Sequence, residues 1–129
     1  MVTQRAGILL RAGTSLHFVP ASVALRVATA PRVTAVPGAP RDLLGIALQG
    51  GVVVAVIAIG PDRGEMLVCQ HAGELVGLVG ARVVRSGSFE AAREGSDAVV
   101  FEGERAEVLD VAAIYARVQA GGRASNPGA

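Results

Sequence analysis

The chain has 129 residues, of which 51% are hydrophobic and 18% are charged. This composition suits one domain, or two very small subdomains that share a core, and excludes extensive disorder away from the ends. Twelve basic and eleven acidic residues leave a net charge of +1, which gives no electrostatic reason to expect nucleic acid or an anionic membrane as a partner. Every basic residue is arginine, which with the abundant Ala, Gly and Val indicates a GC-rich, bacterial genome.

The rarer residue types narrow the classes of function. Cys69 is the single cysteine, so no internal disulfide can form. Aromatic residues make up 3% of the chain, which argues against a base-stacking surface or an aromatic sugar-binding platform. The apolar stretch over 8–10 is too short for a signal peptide and is interrupted by Arg11, so we expect a cytoplasmic protein.

The first third of the chain predicts short strands and then an irregular connection. Strands are predicted over 6–11 and 16–19, and Pro20 ends the second. The segment 21–28 is ambiguous, but its alternating Val and Leu residues suit a strand with Arg26 facing outward. Three prolines between positions 31 and 40 then predict an extended connection without regular structure.

Two apolar runs in the middle of the chain predict a buried hairpin. They cover 43–48 and 52–59, the second is almost entirely Val, Ile and Ala, and Gly50-Gly51 between them can supply the positive φ of a tight turn. The stretch 43–60 carries no charge, so a membrane span is the competing interpretation. Polar and glycine residues at its centre, β-branched residues and turn formers at both ends favour the hairpin. We therefore expect no direct membrane insertion.

The second half of the chain predicts more short strands and a final helix. Gly77 and Gly80 lie within one predicted strand and indicate a bulge or a barrel corner there. Asp110 can cap the helix. The predicted elements are a turn over 60–64, strands over 65–70 and 75–84, a polar loop over 85–97 with one helical turn over 89–93, hairpin strands over 98–101 and 107–109, the helix over 111–119, and a disordered tail over 120–129.

Eight or nine short strands and one helix favour an all-β fold. Their spacing of 8–12 residues is typical of a small antiparallel barrel or a pair of barrels. A doubly wound α/β sheet is disfavoured, because no helix is predicted between strands.

Three pieces of the sequence, in order, resemble the CheW-like family, the coupling proteins of bacterial chemotaxis arrays. The pieces are Val36-Pro37-Gly38-Ala39-Pro40 followed by Leu43-Leu44-Gly45-Ile46, then 73–83, then 101–115. The resemblance covers about residues 7–118. It implies two intertwined five-stranded SH3-like barrels with a hydrophobic seam and a C-terminal helix, over a domain that we place at 6–119.

The polar markers of the family motifs are replaced here. Where the family has Asn-Leu-Arg-Gly, this chain has Leu48-Gln49-Gly50-Gly51, so the family's Arg falls on Gly50. The family's next Pro and Asp fall on Ala55 and Ala58, and a later Asp falls near Ala81. The apolar framework that specifies strands is kept. The fold expectation therefore stands, while the full set of family contacts does not carry over, because glycine cannot make the bidentate contacts of arginine.

The resemblance implies a non-enzymatic adaptor with protein partners. These partners are the cytoplasmic tip of a chemoreceptor, the regulatory domain of a CheA-type histidine kinase, or both, and a divergent member would keep only part of this set. The implied partner-binding residues are Val23, Gly45, Leu48, Gln49, Gly50 and Gly51. No catalytic residue, metal or cofactor is expected.

Two other classes of function stay open from the residues alone. A small β-barrel enzyme would use Cys69, with His71 two residues away on the same strand face, or a cluster of Glu102, Glu104 and Glu107. The ordinary interpretations are a half-buried cysteine and a solvated charged turn. A self-assembling structural module is the third class, in which exposed barrel edges pair.

Overall fold

The computed structural model describes residues 3–124, with side chains as far as Gln119. These residues form ten strands and one helix. The elements are β1 (Gln4–Ala12), β2 (Ser15–Pro20), β3 (Ala24–Thr29), β4 (Leu43–Gln49), β5 (Val52–Ala58), β6 (Asp62–His71), β7 (Glu74–Gly80), β8 (Arg82–Ala91), β9 (Val99–Phe101), β10 (Glu104–Val108) and α1 (Val111–Ala124).

The two ends of the chain build one closed barrel. Its strand order is β1-β2-β10-β9-β8, with β10 parallel to β2 and the other pairs antiparallel. The interior is filled by apolar side chains, including Phe18 and Phe89, whose rings meet edge to face at 6.1 Å. Closure removes the free edges that a small sheet would otherwise expose.

The middle of the chain builds a second unit, a five-stranded sheet. Its order is β3-β6-β7-β5-β4, so β3 and β4 are its outer strands. Thr34, in the connection between these two strands, exchanges two backbone hydrogen bonds with Ile46 of β4, at 2.8 and 2.9 Å. The connection therefore covers the centre of the outer edge of β4. Since the chain enters the barrel, builds the sheet and returns to the barrel, the predicted intertwined pair is confirmed. One unit is a closed barrel, and the other, expected as a second barrel, is a five-stranded sheet.

An apolar seam joins the barrel, the sheet and the helix. Leu10 and Val19 reach it from the barrel, and Ile57 and Leu67 reach it from the sheet. Helix α1 closes it with one apolar stripe, formed by Val111, Ile114 and Val118. As predicted, Asp110 caps this helix, with its Oδ1 accepting a hydrogen bond from the backbone N–H of Ala113 at 2.9 Å.

The chain passes between the two units at a close crossing of two glycines. The backbone N–H of Ile59 donates to the carbonyl of Val79 at 2.7 Å, so the next residues, Gly60 and Gly80, lie against each other. A Cβ on Gly80 would overlap the backbone nitrogen and oxygen of Gly60. Gly80 also has φ of +110°, a conformation that glycine tolerates best. The barrel corner predicted from Gly80 is found at this crossing.

The central hairpin is confirmed by β4 and β5, which pair across Gly50-Gly51. The competing interpretation, a single membrane-spanning helix, does not describe this stretch, because its residues form two paired strands. Within residues 3–124, no helix is long and apolar enough to cross a membrane. The ambiguous segment 21–28 contributes β3, and Arg26 is exposed as predicted, but Leu25 and Val27 are exposed as well.

The polar region after residue 84 was predicted wrongly. Instead of a loop over 85–97, β8 continues to Ala91 and pairs with β1 along its length. Its Ser and Gly residues face solvent while Phe89 points into the barrel, so a polar composition is compatible with a strand. The predicted strand over 75–84 is divided at Ala81, where the chain moves from the sheet to the barrel.

Two further boundaries differ from the prediction. Strand β6 begins at Asp62, inside the predicted turn over 60–64, and the Oδ1 of Asp62 accepts a hydrogen bond from the N–H of Gly64 at 2.8 Å. Helix α1 continues past 119 to Ala124, so the predicted tail begins as helix. Residues 125–129 lie outside the described part of the chain.

Gly80→Ala is expected to lower the free energy of unfolding by about 2–4 kcal/mol, because the added methyl group overlaps the backbone of Gly60 and φ is left-handed. Urea denaturation followed by circular dichroism measures this change. The control is Gly64→Ala, whose Cβ would meet only the Oδ1 of Asp62, at 3.4 Å. It should change stability by less than about 1 kcal/mol. Similar losses for both variants would contradict the close crossing.

Candidate partner-binding surface

The hairpin of β4 and β5 has an apolar outer face as well as an apolar inner face. Residues directly opposite each other on paired strands share a face, and here Leu48 lies opposite Val53 and Ile46 opposite Ala55. On this outer face, Leu48 is 68% exposed, Val53 59% and Ile46 39%. On the inner face, Val54 and Val56 are fully buried, and Val52, next to the turn, is 48% exposed. The hairpin therefore carries more apolar surface than the fold covers.

Helix α1 covers only the root of this outer face. At the root, Ile57 is buried and Leu43 packs against the seam that α1 closes. Toward the turn, an open groove of about 560 Å³ lies between the outer face and the connection before β4. Its lining residues are Pro31, Arg32, Thr34, Ile46, Ala47, Leu48 and Val53. Exposed, contiguous apolar surface of this kind is typical of protein-interaction sites.

The hairpin turn projects into open space. Gly50 and Gly51 have φ of 60° and 81°, so two consecutive residues adopt the left-handed conformation that a tight two-residue turn requires. A Cβ at either position would find no atom within 4 Å. Gln49 is half-buried beside them. The turn is thus accessible, as a partner-contacting position must be, and carries no charge.

The other two residues predicted to bind a partner, Gly45 and Val23, do not lie at the exposed turn. Gly45 is buried, and a Cβ on it would overlap the carbonyl oxygen of Thr34, so the crossing connection accounts for this glycine. Val23 precedes β3, its carbonyl accepts a hydrogen bond from the N–H of Gln70, and it packs against the seam. Because β3 and β4 are the two outer strands of the sheet, Val23 is not brought together with the hairpin turn.

Sequence reasoning missed Ile46 and Val53 as members of this surface. The available signal was the hairpin's composition: both alternating sets of positions in β4 and β5 are apolar. A strand with two apolar faces must be covered on both sides or expose one. A second, smaller exposed set, Leu25 and Val27, lies on β3.

The residues proposed for catalysis are not arranged for it. Cys69 is fully buried, and this burial raises the pKa of its thiol to about 12. His71 packs against the ring of Tyr115, with centroids 5.8 Å apart. The Tyr115 hydroxyl donates to the carboxylate of Glu74, and this hydrogen bond is the main reason that the pKa of Tyr115 is raised. This contact attaches α1 to the turn between β6 and β7.

Two of the three glutamates of the final hairpin, Glu104 and Glu107, are engaged in ion pairs, and Glu102 lies in the turn with φ of 49°. The Glu104 carboxylate accepts hydrogen bonds from two guanidinium nitrogens of Arg11, at 2.8 and 3.0 Å. This pairing lowers the pKa of Glu104. Glu107 pairs with Arg105 at 2.6 Å. Among the described residues, no group of three or more His, Cys, Asp or Glu side chains is placed to hold a metal ion.

Two intertwined five-stranded units joined by an apolar seam and closed by one helix define the class of fold: all-β and CheW-like. Among solved structures, the crystal structure of the scaffolding protein TtCheW from Thermoanaerobacter tengcongensis is similar to this chain, with a TM-score of 0.65. The match covers 84% of this chain and 90% of that chain at 14% sequence identity. The resemblance stated from the sequence is confirmed by this fold.

Searches with protein-family models and against curated proteins found no match.

The thiol of Cys69 is expected to be inert in the folded protein. At pH 8 it should react with a disulfide reagent such as DTNB at least about a hundredfold more slowly than in denaturant. Burial keeps the reagent away from the sulfur and lowers the fraction of the thiol that is ionised to thiolate. Absorbance at 412 nm follows the reaction. Prompt reaction of the native protein would contradict the burial and restore the thiol enzyme as a candidate.

Proposed function

We propose that the protein is a non-enzymatic adaptor in a chemotaxis-type signalling system of a bacterial cell. In this role it couples chemoreceptors to a CheA-type histidine kinase and works in the cytoplasm. The observation that carries the proposal is the similarity of the fold to the scaffolding protein TtCheW over 84% of the chain. The family motifs in the sequence, from Val36-Pro37 to the final helix, point the same way.

The chemistry of the chain supports an adaptor over an enzyme. The candidate nucleophile Cys69 is buried with a raised pKa, and the candidate acids Glu104 and Glu107 are held in ion pairs. What the described surface offers in excess is exposed apolar area, chiefly at Leu48 and Val53. Burying such a side chain in a complex contributes about 1.5–3 kcal/mol, so two of them are enough to anchor an interface.

The hairpin turn supports a reduced set of partners. Where this chain has Gly50 the family has an Arg, a residue that can make bidentate, charge-dependent contacts, and this chain offers only backbone there. Binding through this surface would therefore depend on apolar burial. A partner whose recognition needs the guanidinium would be lost, while a partner that matches the aliphatic face would be kept.

Self-assembly is the alternative that one observation favours, namely the uncovered outer face of the hairpin. Two copies meeting there would also bury Leu48 and Val53. Sedimentation velocity over a range of protein concentrations separates the two functions. A monomer at high concentration excludes the self-assembling module and leaves the adaptor.

Leu48→Asp is expected to weaken binding to the retained partner at least about tenfold, because a charge would be buried in an apolar contact. Isothermal titration against a receptor-tip fragment and a kinase regulatory domain from the same genome measures the affinity. The control is Ser86→Asp, an exposed strand position on the barrel. If the unaltered protein binds neither the receptor-tip fragment nor the kinase domain, the adaptor proposal is overturned.

A further inference from the structure

A cavity of about 480 Å³ opens where β2 of the barrel, the end of β5 and helix α1 meet. Its apolar wall is formed by Ile57, Ile59, Leu109, Ile114 and Val118. Sites for small molecules typically measure about 300–1,000 Å³ and are mostly apolar, with a few polar groups. None of the residues predicted to bind a protein partner lines this cavity. Its size and lining therefore suit a small molecule at a place separate from the hairpin turn.

Three titratable side chains reach this cavity from separate parts of the chain. They are His17 on β2, Asp42 just before β4, and Arg117 on α1. His17 alternates along its strand with residues that fill the barrel, so it shares the face of Val19, which packs in the seam. Arg117 lies one helical turn after Ile114, at the flank of the buried stripe of the helix.

The position of Asp42 is fixed by its backbone. Its carbonyl accepts a hydrogen bond from the N–H of Ala58 at 2.9 Å, which holds the residue beside the end of β5. Ala58 itself lines the cavity. The carboxylate of Asp42 is thereby placed at the cavity although the residue belongs to the connection before β4.

The two opposite charges of the cavity do not neutralise each other. Asp42 and Arg117 form no ion pair with one another, whereas Arg11 and Glu104 elsewhere on the surface pair directly at 2.8 Å. Both side chains are exposed, while Ile57 in the apolar wall is fully buried. The cavity thus presents one negative and one positive group at its mouth and an apolar surface inside.

A complementary ligand has three features. It carries a carboxylate, which the guanidinium of Arg117 can bind through paired N–H groups. It carries an ammonium group, whose N–H groups the carboxylate of Asp42 can accept, and the imidazole of His17 can donate a further N–H to the ligand's carboxylate. Its third feature is an apolar side chain for the interior. An α-amino acid combines all three in one small molecule.

We propose that this cavity binds a free α-amino acid with an aliphatic or aromatic side chain. The carboxylate of the ligand lies at Arg117, its ammonium group lies at Asp42, and its side chain packs against Ile57 and Ile114. The ligand would touch the barrel, the sheet and α1 together. This proposal goes beyond the adaptor function, because it concerns a small molecule and a different part of the surface.

The test uses the full, isotopically labelled chain and follows backbone amide shifts by NMR. L-Leucine and L-phenylalanine are titrated first. Three compounds each lack one feature of leucine: 4-methylpentanoate has no ammonium group, 3-methylbutylamine has no carboxylate, and glycine has no side chain. Leucine is expected to shift the amides of residues 17, 42, 57–60 and 114–118 and to bind at least about tenfold more tightly than each of the three.

Two variants assign the charges. Arg117→Gln and Asp42→Asn should each weaken the binding of leucine at least about tenfold, because each removes one charged partner of the ligand. Arg117→Gln should leave the weaker binding of 3-methylbutylamine unchanged, which a general disturbance of the fold would not do. The controls are Arg41→Gln and Glu94→Gln, exposed positions outside the cavity lining, and they should not change the affinity for leucine.

The proposal is overturned if neither amino acid binds at 10 mM, or if a compound lacking one charge binds as tightly as leucine. Shifts confined to residues outside the cavity would also overturn it, as would loss of amine binding in Arg117→Gln. The outcomes are independent of the adaptor proposal, since that proposal is tested with receptor and kinase fragments in the absence of any amino acid.

Discussion

At the junction of the two β units, the backbone at Gly60 lies against the backbone at Gly80, with no room for a side chain on either residue. This crossing lets β5 and β7 leave the sheet side by side, joined by the hydrogen bond from Ile59 to Val79. From there the chain turns into β6 on one side and into β8 of the barrel on the other. The intertwined path depends on this contact, because any Cβ would push the two connections apart.

The crossing also determines which surfaces are covered. It brings one side of the sheet against the barrel, and α1 closes the seam between them with Val111, Ile114 and Val118. A helix of this width covers the root of the β4–β5 hairpin, and the half near the turn extends beyond it. The exposure of Leu48 and Val53 is thus a consequence of the architecture, and a chain that keeps such residues exposed gains from covering them with a partner.

Much of this architecture could be predicted from local patterns. The turn formers Gly50-Gly51 and the flanking Val and Ile residues predict the central hairpin, and Asp110 predicts the start of the helix, because these signals act within a few residues. The order of the family-like pieces predicted two intertwined five-stranded units, which local patterns alone do not specify.

The errors arose where distant partners decide the structure. Strand β8 looks like a loop in the sequence because its polar residues face solvent, and only its pairing with β1 makes it a strand. Likewise, whether the second apolar face of β4 is covered depends on how far α1 reaches, which no local pattern encodes. Gly45 matched the family motif, but the backbone of Thr34 lies against it, and this contact requires a glycine without any partner. Of the exposed apolar side chains of this hairpin, the sequence therefore singled out Leu48 and missed Ile46 and Val53.

In the proposed adaptor, apolar burial at the hairpin replaces charged contacts at its turn. The most direct measurement is the affinity of the full chain for a receptor-tip fragment and for a kinase regulatory domain, each titrated at 50 and at 500 mM NaCl. If binding depends on apolar burial, the affinity for the retained partner changes less than about threefold between these salt concentrations, and binding has a negative heat-capacity change. A steep loss of affinity with salt would contradict it, because such binding would depend on charges that the hairpin does not carry.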